Sequence, residues 1–471
     1  MSADLRPYPE YKDSGTVWVG TIPSHWDCLP HRAVFREIKE QGRVDEPLLS
    51  VTISKGIIPQ SDLLAGSSKK DSSNLDKSKY KLVTPGDIAY NKMRAWQGAI
   101  GSSHHRGIVS PAYIVVRPRA SQNPDYFHFL FRTPRFATEA ERWSYGITSD
   151  QWSLRPEHFK MIYCCVPPRD EQDAIVAFLR AFDGRVRRFI QNRRRLIAVL
   201  NEQKQAIINR AVTRGLDPNV RLKPSGIEWL GDIPEHWKLK RFKFVARIGS
   251  GQVDPKADPY PDYVLIAPEH IKKGAGEILR EETANAQGAI SGKYLVKSGE
   301  VVYSKIRPAL QKAVIAPCDC LCSADMYPLS PKRGEMVADY LLLLLLSLPF
   351  TRYVVDCSMR VAMPKVNRDA LGNAWLWYPE IEVQNRILRW LSDKVEPILT
   401  AVKRAEHEID LIREYRTRRI ADVVTGKVDV RHLAPAVDEA LPEDLETLGD
   451  ADEGVDDDGL EDEEGVLEEA E

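Results

Sequence analysis

The feature that most constrains the fold is an internal repeat with a period near 212 residues. Residues 12–26 read KDSGTVWVGTIPSHW and residues 223–237 read KPSGIEWLGDIPEHW, and nine of these fifteen positions are identical. A period this long exceeds that of any solenoid unit, so it indicates duplicated domains and not an array of small repeats. The chain is therefore predicted to fold as two homologous halves.

Later segments return in the same order. LVTPGDIAYNKMR at 82–94 returns as LVKSGEVVYSKIR at 295–307, PPRDEQDAIVAFL at 167–179 as PEIEVQNRILRWL at 379–391, and AVTRGLD at 211–217 as VVTGKVD at 423–429. Each half thus has a short motif, a mixed globular region and a helical tail. The globular regions, about 25–168 and 237–380, contain short Val/Ile/Tyr-rich runs broken by turn residues, with some helical stretches, which predicts an α+β fold.

The tails have a helical period. In the second tail the apolar residues step by four and three, as in a heptad seam: Leu391, Val395, Ile398, Val402, Ala405, Ile409 and Ile412. The first tail carries a looser stripe formed by Phe182, Val186, Phe189, Leu196, Leu200 and Ile207. Two long helices that pack on each other as an antiparallel coiled coil are predicted, with Pro397 as a kink or restart. The alternative is that each seam folds back on its own globular domain.

Charge is distributed unevenly. The formal net charge is −2, but residues 438–471 hold 18 acidic and no basic side chains, which leaves 66 basic against 50 acidic residues before them, a balance of +16. Such an excess favours a polyanionic partner. The acidic tail is predicted to be a disordered, solvating extension. Competition of the tail with DNA for a basic groove is the alternative.

Cellular location is inferred from cysteines and apolar runs. Seven cysteines, an odd number in a long chain, predict reduced thiols. The longest apolar run, near residues 340–348, is shorter than a bilayer span and is interpreted as a core segment, and no secretory signal opens the chain. We expect a cytoplasmic protein that has no membrane partner.

The repeated W-x-G-x-I-P-x-H-W segment, WVGTIPSHW and WLGDIPEHW, resembles the specificity (S) subunits of type I restriction-modification enzymes. The resemblance covers about Tyr11 to Asp429. It implies two target-recognition domains that each read one half of a bipartite, asymmetric site in double-stranded DNA, joined by a helical spacer. It further implies two methyltransferase (modification) subunits and restriction (translocase and nuclease) subunits as partners. S-adenosylmethionine, ATP and Mg would belong to those partners, and this chain would carry no cofactor.

The resemblance also divides the chain by position. It implies an N-terminal segment 1–24, a first recognition domain 25–168, a first spacer helix 169–215, a linker with the repeated motif 216–236, a second recognition domain 237–380, a second spacer helix 381–426 and an acidic tail 427–471.

Candidate DNA contacts are basic, polar and aromatic residues that follow turns. The candidates in the first domain are Tyr90, Lys92, Arg94, Gln97, Arg142 and Gln151, and those in the second are Tyr303, Lys305, Arg307, Gln311, Arg360 and Lys365. Because the Lys and Arg positions recur in both halves while the two half-sites should differ, phosphate contact or a structural role competes with base reading at these positions.

Two other functions remain as alternatives. A coiled-coil scaffold would bind proteins without reading DNA. An autonomous methyltransferase or nuclease would need its own catalytic motif. Residues 123–126, Asn-Pro-Asp-Tyr, only superficially match a methyltransferase loop, and the corresponding residues 337–340 lack both the Asn and the Pro.

Overall fold

The computed structural model describes residues 5–64, 76–119, 121–147, 151–358 and 364–433. The chain divides into two compact units. Unit 1 comprises Met1–Asn192 and His407–Glu471, and unit 2 comprises Arg193–Glu406.

Unit 1 is a mixed α/β unit. In chain order its elements are β1 (Tyr11–Asp13), β2 (Thr21–Pro23), β3 (Asp27–Pro30), α1 (His31–Val34), β4 (Phe35–Ile38), β5 (Leu49–Thr52), β6 (Gly56–Pro59), α2 (Gln60–Leu64), β7 (Lys81–Val83), β8 (Ile88–Asn91), β9 (Ile100–Ser102), β10 (Gly107–Val109), β11 (Tyr113–Pro118), α3 (Pro124–Phe131), α4 (Pro134–Arg142), α5 (Pro156–Met161), β12 (Tyr163–Val166) and the first part of α6 (Arg169–Arg214).

The main sheet of unit 1 is antiparallel, with the order β4-β11-β8-β9. Ile88, Ala89 and Tyr90 of β8 are each 0% exposed. A strand that is covered on both faces reads as a continuous apolar run without alternation, and β8 has this pattern. The turn before β8 is closed by Asp87, whose carboxylate accepts hydrogen bonds from the Thr84 amide at 2.8 Å and from Arg117 at 2.6 and 2.9 Å.

Unit 2 is also a mixed α/β unit. Its elements are β13 (Leu222–Pro224), β14 (Asp232–Pro234), β15 (Lys238–Arg241), α7 (Phe242–Val245), β16 (Ala246–Ile248), β17 (Gln252–Val253), β18 (Leu265–Ile266), β19 (Lys293–Val296), β20 (Val301–Ser304), β21 (Ala313–Ile315), β22 (Cys320–Cys322), β23 (Met326–Pro331), α8 (Ala338–Leu345), α9 (Leu348–Ser358), α10 (Arg368–Asn373), β24 (Trp375–Tyr378) and the first part of α11 (Ile381–Val424).

The main sheet of unit 2 has the order β16-β23-β20-β21, again antiparallel. Its strands occupy the same places in the chain order of their half as β4, β11, β8 and β9. Val301, Val302 and Tyr303 of β20 are 0%, 0% and 1% exposed. The turn before β20 is closed in the same way, since the Lys297 amide donates to the Glu300 carboxylate at 2.9 Å.

The two long helices confirm the helices predicted from the tails. They span 46 and 44 residues. Helix α11 continues through Pro397, so it does not restart there, and the alternative, a kink at Pro397, stays a prediction. Each is followed by a glycine with positive φ, Gly215 at 75° and Gly426 at 76°, a conformation that ends many helices. A side chain at Gly426 would lie 2.4 Å from Pro23, so glycine is required there.

Opposite ends of the two long helices meet in each unit. In unit 1 the Arg416 guanidinium of α11 donates to the Asp183 carboxylate of α6 at 2.5 Å, and the Phe182 and Tyr415 rings lie 5.9 Å apart. In unit 2, Ala211 of α6 belongs to the same hydrophobic cluster as Ile387 and Leu391 of α11. Most of the predicted seam residues of α11 are buried, whereas Leu196, a member of the looser stripe predicted on α6, is 39% exposed.

Among the described residues, no single helix is long and apolar enough to cross a membrane. Helices α8 and α9 reach the required length and apolarity only together, with a bend of 60° between them. Tyr340, Leu341 and Leu344 of α8 are 0% exposed in the core of unit 2, so this run is a core segment as predicted. All seven cysteines are free thiols.

Candidate nucleic-acid interface

The first set of predicted residues lies in the turn that follows β8. The Asn91 side chain accepts a hydrogen bond from the Met93 amide at 2.9 Å, and the Trp96 indole donates to the Met93 carbonyl at 2.8 Å. This network fixes the backbone of the turn. Lys92 and Arg94 are half-buried on it, and Gln97 is exposed.

A hairpin from a later part of the chain, of which residues 145–147 and 151–153 are described, is attached to this turn. Tyr145 and Ser153 pair through backbone hydrogen bonds of 3.3 and 3.1 Å. At the base of the hairpin, the Leu154 amide donates to the Lys92 carbonyl at 2.7 Å. The Trp152 ring meets the Trp96 ring edge-on at 5.5 Å. The hairpin and the turn are therefore held together by a main-chain bond and an aromatic contact.

Between the turn and the hairpin lies an open groove of about 570 Å³, called here the unit 1 groove. It is lined by Lys81, Lys92, Pro111, Ile114, Tyr145, Gly146, Ile147, Gln151, Ser153, Arg155, Pro156 and Glu157. Three basic side chains against one acidic side chain make the lining electropositive. The groove brings together two predicted contacts, Lys92 and Gln151.

Lys81 and Arg155 are lining residues that the sequence did not single out. The Lys81 ammonium donates to the carbonyl oxygens of Tyr113 at 2.6 Å and Pro111 at 3.2 Å, and burial lowers its pKa. Arg155 is exposed. Neither residue is part of a repeated motif, so the sequence carries no signal that would have identified them.

The two tyrosines are not at this surface. Tyr90 is 0% exposed and stacks on Phe159 at 4.7 Å, and Tyr303 is 1% exposed. Burial raises the pKa of both phenols above its ordinary value. Because a side chain enclosed by the core cannot reach a ligand on the surface, the prediction that these tyrosines contact DNA is wrong.

The corresponding turn in unit 2 is anchored in the same way. The Val366 amide donates to the Lys305 carbonyl at 2.8 Å, and the Arg307 amide donates to the Pro364 carbonyl at 3.0 Å. The Lys305 ammonium donates to the Ala324 carbonyl and lies 5.3 Å from the Tyr327 ring centre. Lys305 therefore stabilises the turn, which is the structural role considered above.

The remaining predicted residues of unit 2 differ in exposure and in the contacts that their side chains make within the unit. Gln311 uses its amide nitrogen within the unit, donating to the Leu346 carbonyl at 3.1 Å and to the Thr351 hydroxyl at 2.7 Å. Arg307 is exposed, and Lys365, 49% exposed, lies 3.4 Å from Asp325. Arg360 lies outside the described residues.

Arg142 of unit 1 precedes the hairpin at the end of α4. Its side chain is 69% exposed and lies 3.7 Å from Glu139. It does not line the unit 1 groove, so its proposed contact with DNA stays a prediction.

The repeated motif serves packing in unit 1. Trp26 is 0% exposed, and the Trp18 indole donates to the Tyr163 carbonyl at 2.9 Å. His25 pairs with the Glu171 carboxylate at 2.8 Å, an interaction that sequence reasoning missed. The position corresponding to Glu171 in the second half is Val383, so no repeated carboxylate signals it. Within the described ranges, no group of three or more His, Cys, Asp or Glu side chains is arranged to hold a metal ion.

Comparison with known proteins relates the chain to one class. No family model matches it. The Type I restriction enzyme EcoDI specificity subunit of Escherichia coli is 32% identical over 181 residues, which span 38% of this chain and 39% of that relative. The Type I restriction enzyme MjaVIII specificity subunit of Methanocaldococcus jannaschii is 24% identical over 377 residues, 76% of this chain and 84% of that relative.

A solved structure gives the same relationship at the level of the fold. That structure concerns the complex assembly and conformational transition of the type I R-M system. One of its chains superposes with a TM-score of 0.62 at 14% identity, covering 86% of this chain and 98% of that chain. The structure shows the shared fold, and the two sequence matches confirm the resemblance inferred from the repeated motif: the chain is similar to type I restriction enzyme specificity subunits.

Proposed function

We propose that this chain, a relative of the type I restriction enzyme specificity subunits, recognises a bipartite, asymmetric sequence in double-stranded DNA. One observation carries the proposal. Two units with the same main-sheet order each attach a later loop to the turn after the central strand, through the same amide-to-lysine-carbonyl bond. The attached segments, around 145–153 and 357–365, have unrelated sequences, as the reading of two different half-sites requires.

In this proposal the unit 1 groove holds the duplex by its phosphates and edges. Lys92 and Arg155 are placed to neutralise phosphate charge, while Gln151 offers both a donor and an acceptor to a base edge. A groove of this kind has affinity for any duplex, and the polar and apolar side chains of its loops supply the selection among sequences.

The long helices would serve as spacer and docking surface. We propose that they pair as an antiparallel coiled coil, because opposite helix ends meet in both unit 1 and unit 2. A helix of 46 residues is roughly 69 Å long, so it would fix the number of unread base pairs. Leu196, Val199 and Leu411 are 39%, 60% and 51% exposed on the helices and suit contact with another protein.

The chemistry would belong to partner subunits. We propose that two methyltransferase (modification) subunits dock on this chain, with restriction subunits joining them, and that S-adenosylmethionine, ATP and Mg act only there. This chain would have no catalytic activity of its own, and it would act in the cytoplasm, where those partners work on DNA.

Exchange of one domain tests the proposal. Full-length protein, with and without modification subunits, selects duplexes from a random pool, and its affinity is measured against salt concentration. We expect a bipartite site and a steep salt dependence from counterion release. Replacing residues 25–168 by the recognition domain of another specificity subunit should change one half-site and leave the other unchanged.

Each other outcome supports a different function. Change in both half-sites or in neither contradicts the modular proposal. Binding of modification subunits without any duplex selection would favour the coiled-coil scaffold. Turnover of DNA by the chain alone would favour an autonomous enzyme.

A further inference from the structure

The two described arms of the hairpin at the rim of the unit 1 groove, residues 145–147 and 151–153, lie close together. Its arms approach so closely at Gly146 that a side chain there would lie 2.5 Å from the carbonyl of Gln151. Only glycine fits this crossing. The hairpin is further held by the Tyr145–Ser153 backbone pair and by the Leu154–Lys92 bond, so the residues beside Gly146 are presented in a defined position.

Ile147 is the described residue of this hairpin that presents an aliphatic side chain to solvent. It is 94% exposed, more than any other large hydrophobic residue of the described chain, and it lines the groove together with Lys92 and Gln151. Single exposed apolar residues are common on proteins, so exposure alone gives Ile147 no role. The position of Ile147 is what indicates a role. It puts an aliphatic group at the edge of an electropositive groove, beside side chains suited to contact phosphates and base edges.

A DNA duplex offers a matching apolar group. Among the base edges in the major groove, thymine alone presents a C5-methyl group, and aliphatic side chains contact it. A branched side chain has few rotamers, so little conformational entropy is lost when it is fixed against such a methyl group. The residue that corresponds to Lys92, Lys305, recurs in the other half, whereas the hairpin sequence YGITSDQWS does not.

We propose that Ile147 is a specificity-determining residue that contacts the C5-methyl group of a thymine in one half-site. This inference rests on the proposed function and goes further, because it assigns one side chain to one chemical group of the DNA. Lys92 and Arg155 line the same groove as Ile147, and in this proposal they contact the phosphates adjacent to that base pair.

Uracil substitution tests the contact. The site is first identified by duplex selection with the full-length chain, assembled with modification subunits where binding requires them. Each thymine of the site is then replaced by deoxyuridine, which lacks only the methyl group. We expect the wild type to lose roughly fourfold in affinity at one thymine, the factor for burial of about one methyl group. Ile147→Ala should bind the unsubstituted site more weakly and lose nothing further at that thymine.

Val17→Ala is the matched control. Val17 is 92% exposed in the same unit but lies directly before the repeated motif and does not line the groove. It should respond to uracil as the wild type does. Because both substituted side chains are exposed, folding should be preserved, and thermal unfolding checks this.

Two outcomes overturn the inference while the proposed function stands. In the first, the wild type and Ile147→Ala lose equal affinity at every uracil, or neither loses any. In the second, Ile147→Ala weakens binding to all duplexes alike, as expected for insertion between base pairs in the minor groove. If the wild type selects no sequence at all, the proposed function itself has failed.

Discussion

The main-chain amide of Leu154 donates a hydrogen bond of 2.7 Å to the carbonyl oxygen of Lys92, which is 62 positions earlier in the chain. This bond attaches a hairpin whose sequence does not recur in the second half to a turn whose sequence does. The bond between Val366 and Lys305 does the same in unit 2. A frame that recurs in both halves can thus present different loops, since main-chain bonds do not depend on the side chains that the loops carry.

Lys92 should contribute affinity without selectivity. We expect Lys92→Gln to weaken binding to all duplexes by a similar factor and to lower the slope of log K against log salt by about one, the loss of one phosphate contact. Affinity is measured on the selected site and on an unrelated duplex. Lys427→Gln is the control and should leave the slope unchanged. Lys427 lies beyond the end of α11 and pairs with Asp422 at 3.0 Å. A change confined to one base pair would assign Lys92 to base reading instead.

Gln151 should act on sequence. Bidentate side-chain contacts to a base edge discriminate by about 1–3 kcal/mol. We therefore expect Gln151→Ala to relax selection at one base pair of one half-site by roughly 5- to 150-fold, with the other half-site unaffected. Competition binding against duplexes changed one pair at a time measures this. Gln97→Ala removes the exposed side-chain amide on the neighbouring turn, and its effect is compared with that of Gln151→Ala. An equal loss on every duplex would show that Gln151 contacts phosphate.

The contact between the long helices in unit 1 should depend on Asp183. Its carboxylate accepts from Arg416 at 2.5 Å and also pairs with Arg187 at 2.8 Å, and its side chain is 10% exposed. We expect Asp183→Ala to lower the free energy of unfolding by about 1–3 kcal/mol, because two arginines lose their shared counter-charge. Urea unfolding measures the change. Asp410→Ala, with a 72% exposed carboxylate 3.8 Å from Arg413, should cost less than about 0.5 kcal/mol. Equal effects would refute the assignment.

Stability of unit 1 should fall in mild acid because of His31. The ring is 0% exposed among Phe35, Phe131 and Phe159, and burial lowers its pKa from 6.5 to about 3. The unfolded chain takes up a proton below pH 6.5 that the folded chain does not. The stabilisation of the folded state is therefore complete above pH 6.5 and decreases as the pH falls towards 3.

Replacing His31 isolates this contribution. His31→Phe should reduce the slope of unfolding free energy against pH between 6 and 4 by up to about 1.4 kcal/mol per pH unit, as measured by urea unfolding at each pH. His105→Phe, at an exposed histidine of the same unit, is the control. An unchanged slope in His31→Phe would show that other groups, such as His128, whose pKa desolvation also lowers, account for the acid sensitivity.

The sequence by itself determined the features that depend on local periodicity and on repetition. The apolar spacing predicted a long helix in each tail, to which the resemblance gave the bounds 169–215 and 381–426, and the helices observed span Arg169–Arg214 and Ile381–Val424. A helical stripe is formed by residues three and four positions apart, so it can be recognised without knowledge of distant contacts. The repeated WxGxIPxHW motif likewise identified the relatives before any fold was known.

Only the tertiary structure decided which members of a repeated motif face solvent. Tyr90 and Tyr303 became core residues because β8 and β20 are covered on both faces, which their own sequences cannot show. Lys305 is fixed by the Ala324 carbonyl and Gln311 by Leu346 and Thr351, partners 19 to 40 residues away. The unit 1 groove lies between a turn at 92 and a hairpin at 145–153. Main-chain hydrogen bonds connect the two segments, and such bonds cannot be recognised from the side chains in the sequence. A surface built from such distant pairings exists only once the chain has folded.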